Sequence, residues 1–134
     1  MYNLLMATPQ PRTNTLDEFF LGYEASRTLF EAVRQAVISI GICELRVTKS
    51  QIAFRCRKAF AWVWIPAKYL RGKTAPLVLT ISLSDHNYSS RWKEVVEPYP
   101  NRFMHHLELF SVAEIDDEVC AWLREAWLGA NQGT

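Results

Sequence analysis

Apolar residues recur along the chain with two different periods. Between residues 16 and 40 the spacing is helical. Leu16, Phe19, Phe20 and Tyr23 come first, and Leu29, Phe30, Val33, Val37 and Ile40 then repeat at three and four residues. Thr15 stands three residues before Glu18, the spacing of a capping box, and predicts the start of this region. Gly22 weakens a helix interior, so the pattern predicts a short helix followed by a longer amphipathic one. Gly41 stands where a C-cap glycine ends a helix.

From residue 44 the period changes to two. Residues 44–49 read as a strand that bends into the next. In Gln51–Arg57, Ile52, Phe54 and Cys56 share one face, and Gln51, Ala53, Arg55 and Arg57 share the other. Phe60–Ile65 is apolar on both faces, which predicts a central strand ended by Pro66. Leu77, Leu79, Ile81 and Leu83 alternate with Val78, Thr80 and Ser82, and Phe103, His105, Leu107 and Leu109 alternate with Met104, His106, Glu108 and Phe110. These strands lie too close in sequence for helical crossovers, so hairpin connections and an antiparallel sheet are expected. Arg91–Pro98 reads either as an edge strand or as a loop closing over the sheet.

A last helix is expected from Ser111, which again has a glutamate, Glu114, three residues on. Glu114, Asp116, Asp117 and Glu118 crowd its first turn, where the helix dipole favours anions. That placement explains the acidic run without a metal. Ile115, Val119, Trp122, Leu123 and Ala126 form the apolar stripe, and Gly129 ends it.

The expected fold is α+β: an antiparallel sheet of about five strands, with N-terminal and C-terminal helices packed on one face. Residues 15–129 form a single domain, 1–14 a flexible tail and 130–134 a C-terminal tail. The face carrying Leu77, Leu79, Ile81 and Leu83 meets the helices. The opposite face collects Gln51, Ala53, Arg55, Thr80, Ser82, His106 and Glu108. Strand register decides where Trp62 and Trp64 point, because a slip of one residue exchanges the faces.

Composition narrows the class. With 134 residues, 49% of them apolar, the chain suits one soluble domain with a sizeable core and is too apolar for disorder. It has no run of 18 apolar residues, so no membrane helix is expected. The opening MYNLLMATPQPRTN lacks the basic and apolar regions of a secretory leader. Cys43, Cys56 and Cys120 are odd in number and have no CxxC or zinc spacing, which points to a reducing cytoplasm and to cysteines used as small buried residues.

The net charge of +1 is unevenly spread. Residues 44–73 carry eight Lys or Arg against one acid, Glu44, whereas residues 74–134 carry four bases against nine acids. Such asymmetry marks either an anion-binding surface or ordinary solvated faces. Thr48, Lys49, Ser50 and Gln51, with Arg55, Arg57 and Lys58, make the best anion-binding segment, since they combine charge with hydroxyl and amide groups. Trp62, Trp64 and Trp92 stand nearby in sequence and offer surfaces on which nucleobases stack, although tryptophans are also common core residues. Arg91 and Lys93 supply further cations or pair with Glu94, Glu97 or Glu108.

His105 and His106 are adjacent on a strand and point to opposite faces, so they do not chelate one metal together. No Walker, Rossmann, GxSxG or HExxH pattern is present, and no cofactor is expected.

The blocks TKSQIAFR (Thr48–Arg55), FAWVW (Phe60–Trp64), RWKEVVEP (Arg91–Pro98), HHLEL (His105–Leu109) and DDEVCAWLREAW (Asp116–Trp127) resemble an uncharacterised bacterial family, a domain of unknown function. Its more distant members look like the C-terminal domain of sequences labelled "predicted transport protein". The resemblance implies a small cytoplasmic α+β domain and is neutral on catalysis.

The function expected first is a non-catalytic binding or accessory domain for an anionic ligand, either a nucleic acid or a phosphorylated small molecule. Lys49, Ser50, Arg55, Arg57 and Arg91 would hold it, with Trp64 as a stacking surface and His106 beside it. The alternative is a protein–protein interaction module, including a homodimer, that uses an exposed sheet face or edge. A third reading is a hydrolase using His106 with Glu108. That reading requires a pocket with both residues at its floor and a perturbed histidine.

Overall fold

The computed structural model describes residues 15–132. Helices α1 (Leu16–Phe20) and α2 (Glu24–Ile40) lead into strands β1 (Glu44–Val47), β2 (Ile52–Arg55), β3 (Ala59–Trp64), β4 (Leu77–Leu83), β5 (Glu94–Tyr99) and β6 (Arg102–Leu109), followed by α3 (Asp117–Asn131). Short 3-10 turns occupy Pro66–Lys68 and Val112–Glu114. The tail read at residues 1–14 lies outside the described residues.

The N-terminal pattern holds. Thr15 caps α1, with its hydroxyl accepting from the Glu18 N–H and the Glu18 carboxylate accepting from the Thr15 N–H. Gly22, at φ 83°, separates α1 from α2. The C-terminal start differs from expectation. Ser111 and Glu114 close only a 3-10 turn, and α3 begins at Asp117, with the Asp116 carboxylate accepting from the Val119 N–H as its cap. Ile115, at ψ 72°, breaks the chain between the two. At its other end α3 runs past Gly129, burying Ala130.

The sheet has six strands, not five, in the order β1-β2-β3-β4-β6-β5, with every neighbouring pair antiparallel. The additional strand is β5, the half of the Arg91–Pro98 block that pairs with β6. It sits at the sheet edge with five of its six residues exposed, so no apolar face marks it in sequence, and Pro98 is tolerated there. Pro100 and Asn101 turn it into β6, with Asn101 at φ 64°.

Register places the faces. Ile52, Val63, Leu79 and Leu107 lie side by side, as do Phe54, Ala61, Ile81 and His105. These rows share one core with Leu29, Phe30, Val33 and Val37 of α2 and with Val119, Trp122, Leu123 and Ala126 of α3. On the opposite face Arg46, Ala53, Trp62, Thr80, His106 and Glu94 form a row, beside a second row of Trp64, Val78 and Glu108. Both tryptophans therefore belong to the face without helices. Ala53, Val78 and Thr80 are nonetheless buried on that face, because Trp62 and Trp64 stand directly beside them.

Since β4 pairs with β6 and β5 lies beyond it, the segment from residue 84 to residue 93 must pass over the starting half of β6, on the helix side where His105 points, to reach the far edge. Fully buried His105 fastens it. The Asn87 N–H donates to His105 Nε2 at 3.0 Å, so the ring proton sits on Nδ1 and donates to the Phe103 carbonyl at 3.1 Å. Trp92 donates to the Asn87 side chain and stacks at 4.2 Å on Trp122 of α3. No helix among the described residues is long and apolar enough to cross a membrane.

Candidate functional site

The face without helices carries a groove of about 390 Å³, a size suited to a small ligand. Its floor is Val78, His106 and Glu108, one wall is Trp64, and Lys93 and Glu94 enter from the edge strand. The remaining rim comes from the β3–β4 connection, which supplies Pro66, Leu70, Arg71, Lys73 and Thr74. Pro66 ends β3 and starts a 3-10 turn, and both flanks of the connection are tied down. Lys68 Nζ donates to the Phe19 carbonyl at 2.6 Å and lies 3.9 Å from the Phe19 ring centre, while Ser26 Oγ donates to the Pro76 carbonyl at 2.6 Å. Burial pushes the Lys68 ammonium below its ordinary range. Between these anchors Gly72, at φ 81°, takes the left-handed turn that lets Arg71 and Lys73 flank the tip.

His106 is held from below. Its Nδ1 lies 2.7 Å from the hydroxyl of buried Thr80, which fixes the ring plane. Burial lowers its pKa, and the neighbouring Glu94 carboxylate opposes that shift. The ring is therefore mainly neutral at pH 7, with Nε2 left as its second polar atom. Arg71, Lys73 and Lys93 form no ion pair among the described residues. They bring three positive charges to a groove whose two carboxylates, Glu94 and Glu108, are likewise without an ion pair there.

The residues expected to bind an anion are dispersed, and only Trp64 and His106 meet in the groove. Lys49 and Ser50 are exposed at the tip of the β1–β2 turn, where the Thr48 hydroxyl is already bonded to Gln51. Arg55 is the last residue of β2 and Arg57 lies just beyond it, at the other end of a four-residue strand about 13 Å long. There they line a separate cavity of about 560 Å³ with Cys43, Cys56 and Trp127, and Arg55 faces Glu44 at 3.9 Å.

Arg91 belongs to the helix side. It donates to both Asp116 carboxylate oxygens at 3.1 Å, to Glu118 at 2.8 Å and to the Glu114 carbonyl at 2.9 Å, and its guanidinium lies 5.7 Å from the Trp122 ring centre. These contacts dock the β4–β5 connection on α3 and set Arg91 apart from the groove.

In the sequence Arg71 and Lys73 stand out only as two of the eight basic residues of 44–73. Their convergence on Trp64 depends on the 3-10 turn and on two anchors far away in sequence, and the Pro66 stop was the available signal. Among the described residues, no three His, Cys, Asp or Glu side chains gather to hold a metal ion.

A six-stranded antiparallel sheet with helices on one face and a groove on the other defines a two-layer α+β protein. The chain belongs to the family described as a domain of unknown function, DUF5655, whose model matches residues 16–129. No curated protein and no solved structure matches it.

Proposed function

We propose that the chain is a non-catalytic binding module for a small phosphorylated ligand with a planar apolar part, taken in the groove beside Trp64. One observation carries this reading: Arg71, Lys73 and Lys93, none in an ion pair among the described residues, converge on a groove walled by an indole. Arg71 and Lys73 would take the anionic group, the Trp64 ring the planar part and His106 Nε2 a polar edge. The basic segment found in sequence thus acts through its C-terminal end rather than through Lys49, Ser50, Arg55 and Arg57.

The test is a tryptophan-fluorescence titration with adenosine monophosphate, inorganic phosphate and a short single-stranded DNA at low and moderate salt. Binding of the nucleotide that weakens with salt and is lost in Arg71→Glu/Lys73→Glu supports the reading. Tighter binding of DNA, with a steep salt dependence, would transfer it to nucleic acid. No binding by any of the three would overturn it.

A second reading, hydrolysis with His106 as general base toward water, is favoured by one observation. The groove floor does hold His106 with Glu108, and the histidine is perturbed by burial. The hydroxyl at His106, that of Thr80, is buried and bonded to His106 Nδ1. Turnover of a chromogenic phosphodiester that disappears in His106→Ala would favour hydrolysis over binding.

A further inference from the structure

Two of the three cysteines face one another across the mouth of the β1–β2 hairpin. The register pairs Leu45 with Phe54 and ends at Glu44 with Arg55, and the cysteines flank that last pair, Cys43 just before β1 and Cys56 just after β2. The Thr48 N–H donates to the Gln51 carbonyl, which makes that rung a hydrogen-bonded one. Alternation carried one position past the Glu44–Arg55 pair makes the next rung, that of Cys43 and Cys56, a non-hydrogen-bonded one, the kind in which opposed Cα atoms approach to about 4.5 Å and side chains come closest. That separation lies within the range a disulfide spans, about 4.4–6.8 Å. Both side chains lean to the helix side, and both line the cavity of about 560 Å³ beside Trp127. Neither cysteine is in a disulfide and both are partly exposed: Cys43 Sγ donates to the Glu44 carbonyl at 3.4 Å and Cys56 Sγ to the Trp127 carbonyl at 3.8 Å, and the Cys43 thiol is raised above its ordinary pKa chiefly by burial, with Cys56 adding to the rise. Arg55 and Arg57 line the same cavity.

We infer that Cys43 and Cys56 form a dithiol modification site that closes to a disulfide by exchange with an anionic low-molecular-weight disulfide such as glutathione disulfide. One cysteine thiolate attacks the small disulfide, forming a mixed disulfide and expelling one small thiolate. The second cysteine thiolate then attacks the protein sulfur of the mixed disulfide and expels the other. The two cysteine protons end on the two small thiols released, and the small disulfide is the oxidant. The arginines favour a carboxylate-bearing reagent. Cys120, on α3, is not part of this cavity and serves as the internal control.

The experiment incubates the folded chain with glutathione disulfide and reads intact mass, followed by a tryptic map. Trypsin cuts at Arg46, Lys49 and Arg55, so a Cys43–Cys56 link joins two otherwise separate peptides. The expected result is a loss of two hydrogens, that linked pair, and the same product in Cys120→Ser. The urea midpoint should rise by an amount on the order of 1 M. Cys56→Ser should instead retain one glutathione on Cys43. Glutathione adducts that persist on both cysteines of the wild-type chain, a link to Cys120, or no reaction would each overturn the site. The wild-type map decides even where Cys56→Ser fails to fold.

Discussion

The hydroxyl of Thr80 and Nδ1 of His106 lie 2.7 Å apart on neighbouring strands, and this contact sets how the only histidine of the groove meets a ligand. Because Thr80 is buried, its hydroxyl cannot turn to solvent for another partner. Thr80→Val keeps the shape and removes the bond. It should cost about 1 kcal/mol of stability and release the ring from its fixed plane. Nucleotide affinity should fall severalfold with an unchanged salt dependence, since no charge is lost. An unchanged affinity would show that the orientation of His106 is irrelevant to binding.

Acid should tighten anion binding in the groove. Burial holds His106 below its ordinary pKa and Glu94 only partly offsets this, so the ring gains its charge below the usual histidine range. Protonation adds a positive charge beside Arg71, Lys73 and Lys93. Affinity for adenosine monophosphate should therefore rise as pH falls from 7 toward 5, and His106→Gln should flatten the rise. The comparison belongs below pH 6 as well as above it, because the nucleotide phosphate also titrates near there.

His105 makes the opposite contribution to stability. Its folded pKa is lowered chiefly by burial, so the unfolded chain binds the proton more readily. Its contribution is complete above the unfolded value, near pH 6.5, and is lost as pH falls through the lowered folded value. Protonation would set a new N–H against the Asn87 N–H, which donates to the same nitrogen. Urea midpoints should fall between pH 7 and pH 5. His105→Phe should cost about 1–3 kcal/mol at pH 7, by leaving the Asn87 N–H unpaired, and reduce that pH dependence.

Local pattern made much of the fold legible and little of the groove. The stripes of α2 and α3 and the alternation of β4 and β6 follow from apolar spacing, because each turns one apolar face to the core, and the break at Gly22 follows from its glycine. β5 turns only Val95 toward the core, too little for its spacing to tell a strand from a loop. The tryptophan faces awaited register, which pairs Trp62 with Thr80 and thereby fixes both. Neighbours in sequence misled most at the basic segment. Lys49 and Arg55 are six residues apart, but an extended strand carries them to opposite ends of the sheet. Arg91 found its carboxylates 25 and 27 residues further on, a separation that no local spacing reveals.

Arg91 should act on stability and leave the groove unaffected. Arg91→Ala removes the contacts that dock the β4–β5 connection to the start of α3, and the melting temperature should drop by about 3–6 °C. Arg91→Lys should recover only part of this, because one ammonium cannot serve two carboxylates and a carbonyl with the geometry of a guanidinium. Asp116 is held below its ordinary pKa, first by the Val119 N–H and then by Arg91. Its contribution is present above the ordinary carboxylate range and is lost as pH falls through the lowered value, so Arg91→Ala should also weaken that acid sensitivity. Nucleotide affinity at neutral pH should not change. A loss of binding in a folded Arg91→Ala protein would return Arg91 to the ligand site.

The glycine that ends α2 is required for space rather than for backbone freedom. Gly41 has φ 174°, an extended value open to any residue, but a Cβ there would fall 2.5 Å from Cζ2 of Trp127. The same indole donates from Nε1 to the Ile42 carbonyl at 3.0 Å, clamping the end of α2 to α3. Gly41→Ala must therefore push the ring aside and break that bond, at a cost of about 1–3 kcal/mol. A double-mutant cycle separates this from any helix-end effect. In a Trp127→Phe background the smaller ring leaves room for the methyl group, so adding Gly41→Ala should cost much less than it does alone. Equal costs in both backgrounds would place the glycine requirement in the backbone. The indole also borders the Cys43–Cys56 cavity, so the displaced ring in Gly41→Ala should change how readily those thiols react, whereas Cys120 should react as before.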